Sequence, residues 1–158
     1  VDQNLNWQRS AKMHAWQVAL LADCDVIVDA TGDAATALFL GAVADANVRT
    51  FVSAEVFEGG IGALVATSLP DRDPPFVAGR AAFLGWCDAQ GAKAPEPGPR
   101  RYEALAEDGM PIVADDAAVT ITAGHTARIV LDIIDGRPAP VSGAWLLLGF
   151  AKAWLFDG

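Results

Sequence analysis

A chain of 158 residues with 53% hydrophobic and 20% charged side chains is long enough to bury one core and gives no reason to expect two. Its 20 acidic against 11 basic residues, a net charge of -9, argue against a partner held through the phosphates of a polymer, so nucleic acid is not an expected ligand. No run approaches the ~18 to 20 uninterrupted apolar residues that span a bilayer, and VDQNLNWQRS lacks a signal peptide's apolar core, so no membrane partner is expected.

Cys24 and Cys87 are the two cysteines and form no CxxC spacing, so the chain alone builds neither a disulfide framework nor a four-cysteine zinc site. A reducing, cytoplasmic setting is the expectation. Val1 in place of a starting Met, and an end within the apolar run WLLLGFAKAWLF, read as the ends of a piece cut from a longer protein.

Over residues 10–22, Met13, Trp16, Leu20 and Leu21 recur near a 3.6-residue spacing and predict a short amphipathic helix. Val26, Ile27 and Val28 are β-branched and consecutive, the pattern of a parallel strand covered on both faces. Ala35, Leu38, Phe39, Ala42, Val43 and Ala46 then trace one helical face, with Asp33 placed to cap its first turn and Asn47 to end it. A short strand over residues 50–53 completes a βαβ unit, whose crossover is right-handed by the usual rule. The turn at residues 58–62 feeds a strand over residues 63–69, and so short a link makes that strand antiparallel or sends it off the sheet edge. A mixed, mainly parallel sheet is the predicted outcome.

Residues 70–111 hold most of the nine prolines and only a weak helical pattern, over residues 80–89. They are predicted to be a long loop crossing the domain surface, a length that is commonly functional. Asp115 and Asp116 open a strong helix whose buried face is expected to be Ala118, Thr122, His125, Ile129, Val130 and Ile133, closed by Gly136 and Pro138. Residues 144–150 give a final strand.

In open α/β sheets ligands sit beyond the carboxyl ends of parallel strands, which places Asp29, Thr31, Gly32 and Asp33 at the expected site. A carboxylate there can hold a magnesium ion bridging nucleotide phosphates, Thr31 offers a hydroxyl, and Gly32 lets backbone approach a ligand. The competing reading is structural, with Asp33 as a helix cap and Asp29 as a strand terminator. His125 reads as a hydrogen-bonded core histidine and His14 as a surface one. Cys24 reads as packing, Arg100 and Arg101 as a solvated pair, and Trp7, Trp16, Trp145 and Trp154 as core or subunit contacts.

The run DVIVDATGDAATALFLGAVADANVRTFVSAEVFEGGIGALVA resembles the core of the ThiF, MoeB and ubiquitin-activating E1 adenylyltransferases, with a similar strand, acidic loop, helix, strand and Gly-containing turn in this order. PIVADDAAVTITAGHTARIVLDIIDG looks like that family's late helix and WLLLGFAKAWLF is similar to its closing strand, so the likeness covers nearly the whole chain. The resemblance implies a Rossmann-like fold, with residues 1–158 as the C-terminal part of an adenylation domain that lacks its N-terminal phosphate-loop half. It also implies an ATP- and Mg²⁺-dependent, dimeric enzyme that adenylates the C-terminal carboxylate of a ubiquitin-like or sulfur-carrier protein.

Carried over, the family's magnesium-associated aspartate falls on Asp33 if the register slips by one and on no residue if it does not, because Gly32 stands at its usual place. The Arg or Asn common on the following helix is replaced here by Ala34 to Ala37. Cys87 lies near where thioester-forming members keep their nucleophile, but with Trp86 beside it and no adjacent His the favoured reading is a buried packing residue on a helix with Phe83 and Leu84. PDRDPPFVAG stands where zinc-binding members place their first CxxC, so zinc is not expected. No GxGxxG is present in the 158 residues, and the fragment alone is expected to be inactive. Two rival readings are half of a nicotinamide-dependent dehydrogenase and a catalytically dead E1-like scaffold that only binds a partner.

Overall fold

Strand β1 (Val26–Asp29) forms where the sequence places consecutive β-branched residues, and it is followed by helix α1 (Ala34–Ala46) and strand β2 (Thr50–Val56). The structure, a computed structural model, describes residues 19–91, 96–97, 103–105, 109–137 and 144–150. Expectations for the helix before residue 19, and for Trp7, His14, Trp16, Arg100, Arg101 and Trp154, lie outside the described residues.

β1 and β2 pair in parallel, with Asp29 opposite Ser53. A 3-10 turn (Glu58–Gly60) then reverses the chain into β3 (Gly62–Ser68), which pairs antiparallel with β2, and β7 (Trp145–Gly149) pairs antiparallel with β3. The sheet order is β1-β2-β3-β7. The domain is mixed α/β, but the expectation of a mainly parallel sheet does not hold among the described residues, where only the β1–β2 pairing is parallel. The cause is the three-residue turn after β2, far too short for the crossover that a parallel neighbour needs.

Between Ser68 and α3 (Asp116–Ile134) the chain is not the single long loop expected from its prolines. It forms helix α2 (Phe76–Ala89), which begins at Pro75 and buries Phe76 and Phe83, two turns apart. Glycines at positions 79 and 85 dilute the helical pattern and hid its first turn. β4 (Glu96–Pro97), β5 (Glu103–Leu105) and β6 (Pro111–Val113) form a second, antiparallel sheet that rests on the 3-10 turn.

Each face of the main sheet carries its own hydrophobic cluster. Ile27, Phe51, Leu64 and Ala66 face α1 and α2, meeting Ala37, Ala44, Phe76 and Phe83. Val52 and Val65 face Ile129 of α3, with Val26, Val130, Ile133 and Leu146 packed around them. The two helices on the first face are tied by Asp45 of α1, whose carboxylate accepts from the Phe76 backbone N–H at 3.1 Å and the Ser68 hydroxyl at 3.3 Å. Pro75 has no capping side chain to offer, so Asp45 satisfies an N–H at the start of α2 from across the interface.

α3 corrects the expected buried face. Its buried residues are Ala118, Thr122, Thr126, Ile129 and Asp132, while His125 is exposed. The helix is apolar over most of its circumference, so hydrophobicity alone leaves its rotation poorly marked. Thr122 and Thr126 can be buried because their hydroxyls donate along the helix to Ala118 O and Thr122 O. By length and composition α3 passes as a membrane span, yet it lies against β2 and β3. Cys24 is likewise exposed rather than packed, its thiol directed at Leu20 O.

Asp73 organises the turn between β3 and α2, accepting from the Thr67 hydroxyl at 2.9 Å, from Leu69 N–H at 3.1 Å and from Arg72. Burial alone pushes its carboxyl up, but the hydrogen bonds from Arg72, Thr67 and Leu69 and the Arg72 charge outweigh this and hold it below its ordinary 3.8. A group depressed on folding contributes stability that is complete above its unfolded value and lost as pH falls through the folded one. Asp73→Asn is therefore expected to lower the urea midpoint at pH 7, with the gap to wild type closing as the pH drops below 3.8. A gap of constant size down to about pH 2.5 would show that the carboxylate charge is not what stabilises the turn.

Candidate site at the carboxyl end of the parallel pair

The β1–α1 loop is shaped by one buried carboxylate. Asp29, 2% exposed, accepts from Thr31 N–H through Oδ1 at 3.1 Å and from the Ser53 hydroxyl through Oδ2 at 3.3 Å. The first bond is an Asx-type turn that curls the chain as it leaves the strand. The second ties that turn to β2, in register with the direct Asp29–Ser53 pairing. Gly32 follows with φ +64°, a left-handed conformation that a side chain would strain.

Asp33 N–H donates to Thr31 Oγ1 at 3.2 Å, and the Asp33 carboxylate accepts from Thr36 N–H at 2.8 Å and from the Thr36 hydroxyl. It is the N-cap of α1, as its position in the sequence predicted. Asp29, Thr31, Gly32 and Asp33 are thus brought together in one loop. Asp29 is buried and acts on the backbone, whereas Thr31 and Asp33 lie at the surface. Among the described residues no group of three or more His, Cys, Asp or Glu side chains is gathered to hold a metal ion, so a cation here would rely on Asp33 and on the ligand's own oxygens.

Beside the loop a cleft of about 370 Å³ opens between the sheet and α3. Val28, Ala54 and Val56 form one wall, Val119, Ala123 and Ala127 the other, and Gly32 closes the end nearest the loop. Val28, predicted to be covered on both faces, is 46% exposed here: α3 packs mainly on β2 and β3, and on the same face of β1 it is Val26 that joins the α3 cluster. The 3-10 turn is held against the start of α3 by Gly60, at φ +64°, where a Cβ would come within 2.9 Å of Ala114 Cα.

Cys87 stands apart from this loop, on α2, which packs against α1 and β3. It is half-buried against the α1–α2 cluster beside Trp86. Burial, and secondarily the Asp88 charge, push its thiol above the ordinary 9.0, which disfavours the thiolate a nucleophile needs at neutral pH. Trp145 fills core as expected, with its ring 5.1 Å from Phe83 and 5.2 Å from Trp86.

Ser53 and the α3 wall were not singled out from sequence. Ser53 was within reach, because aligning the two predicted strands in parallel sets it opposite Asp29. The α3 wall lies some ninety residues away and carries only small apolar side chains, which signal nothing by themselves.

Fold and loop together define a mixed α/β domain with its candidate site at the carboxyl end of the β1–β2 pair. No protein-family model matches the chain, and no curated protein matches it.

Proposed function

We propose that the chain is part of an adenylating domain similar to the ThiF, MoeB and E1 enzymes, and that the Asp29–Asp33 loop meets the phosphates of a magnesium-bound nucleotide. The observation that carries this reading is the loop itself: a buried Asp29 clamps the turn to β2, Gly32 opens its backbone, and Asp33 stands at the mouth of α1. Asp33 is the residue assigned to Mg²⁺, which usually takes one or two protein carboxylates and completes its shell with phosphate and water. The bound ion would offset charge on the phosphates of a nucleotide under attack by a carrier protein's C-terminal carboxylate.

The phosphate-binding helix N-terminus of a complete site has no counterpart motif in these residues, so the chain alone is expected to give no ATP–pyrophosphate exchange. Binding is expected in the millimolar range, with Mg²⁺-dependent shifts of the Thr31, Gly32 and Asp33 amide resonances on addition of ATP and a loss of that response in Asp33→Ala. A response to NAD⁺ in place of Mg·ATP would transfer the site to the dehydrogenase reading. A binding scaffold without catalysis is the second reading, favoured by the engagement of the Asp33 carboxylate with Thr36 and by the half-buried Cys87 thiol.

A further inference from the structure

The flank of α3 that borders the cleft is unlike the solvent face of an ordinary surface helix, which turns polar residues to water. Val119, Ala123, Ala127, Val130 and Ile134 recur at three- or four-residue spacing and so share one side, and all but Val130 are exposed. This flank meets the wall made by Val28, Ala54 and Val56, so that a groove with two apolar sides lies open over the β1 side of the sheet. Its volume of about 370 Å³ has room for several aliphatic side chains.

The same groove is acidic at one end. Asp116 stands on the α3 flank three residues before Val119, and Asp33 follows Gly32, which closes the groove there; both are exposed. Glu58 lies in the 3-10 turn that is held against the start of α3. The N-termini of α1 and α3 offset this by only about half a unit of charge each, so three carboxylates leave the end negative. We propose that the groove seats an amphipathic helix of a partner protein, apolar where it meets Val28 and the α3 flank and basic at the end that reaches Asp116 and Asp33, whether or not a nucleotide meets the loop. Charge decides against two other occupants, because a net charge of -9 repels a second copy of the chain and an anionic lipid surface alike. A helix fits better than a strand because the groove lies over the face of β1 and β2, beside a helix already layered on that sheet, whereas an added strand would bond to an edge. Ala123 and Ala127 let the partner's backbone come close, near the ~8–10 Å spacing of packed helices.

The probe is a synthetic helical peptide of about five turns, with leucines at i, i+3, i+4 and i+7 spacing and lysines gathered at one end. Added to the 158-residue chain labelled on valine methyls, it is expected to shift Val28, Val56, Val119 and Val130, which line the groove, with a Kd of about 10–100 μM, in keeping with a small transient interface. Glutamates in place of the lysines should weaken binding about tenfold or more, and Asp116→Lys should weaken the lysine peptide about threefold or more. Ala127→Gln places a good helix former at an exposed position and should weaken binding about fivefold by filling the groove; Ala123→Gln tests the same wall from one turn away. Silence of the four valines, or equal shifts from a scrambled peptide of the same composition, would overturn the helix seat. Equal affinity for the lysine and glutamate peptides would overturn the basic end. Shifts of the same valines on concentrating the chain without peptide would give the groove to a second copy, and shifts with phosphatidylglycerol vesicles but not with peptide would give it to a lipid surface; either result overturns the proposal.

Discussion

Phe76→Ala is expected to lower the stability of the domain by about 3–5 kcal/mol, the usual range for deleting a buried phenyl ring. Phe76 is 2% exposed and meets Phe51 edge-to-face, with ring centroids 4.7 Å apart. Its loss would open a cavity where α1, α2 and β2 converge, and total stability is only about 5–15 kcal/mol for a domain. The same ring explains Gly41, where an added Cβ would stand 2.4 Å from Phe76 Cδ1 and under 3 Å from two more of its atoms. Alanine is the better helix former by about 1 kcal/mol, but forcing a methyl into a packed contact costs about 1–3 kcal/mol, so Gly41→Ala should destabilise the wild type. In the Phe76→Ala background its sign should reverse, because the methyl then fills vacated space. A urea-denaturation cycle reads this directly, and additive single-mutant effects would refute the contact.

Asp29→Ala should cost about 1–3 kcal/mol, because it leaves the buried Ser53 hydroxyl without its acceptor and removes the acceptor that holds the Thr31 N–H in the turn. Asp29→Asn should cost much less: its carbonyl oxygen can still accept from Thr31, and its amide can donate to Ser53 Oγ. Amide exchange at Thr31 and Gly32 separates a loop role from a general one. It should accelerate in the alanine variant more than exchange in β3 does, and recover in the asparagine variant. Equal loss of protection across the sheet would mean that Asp29 merely supports the core.

Much of this loop was legible in the sequence because its bonds are local. Asp33 caps Thr36, Asp29 holds Thr31, and the glycine adopts a conformation it tolerates best; each spans three residues or fewer. β3 was also legible as antiparallel, since the length of the link left little choice. The rotation of α3 was not, as a helix with apolar residues around most of its surface carries little periodic information, and His125 was assigned to the wrong side. α2 was only half seen, because its anchors Phe76 and Phe83 sit among prolines and glycines and its first N–H is satisfied by Asp45, 31 residues upstream.

Local sequence was enough for the order and kind of β1, α1, β2, β3, α3 and β7, for the crossover from β1 to β2 and for the composition of the acidic loop, because chain chirality, periodicity and short-range hydrogen bonding act over a few residues. Tertiary structure decided which carboxylate is buried and which is exposed, joined Asp29 to Ser53, and set α3 beside Val28 to make the cleft. Those relations depend on which face each strand turns to its neighbours and on how the helices settle against the sheet, and burial over the whole domain selects among arrangements that local preference leaves open.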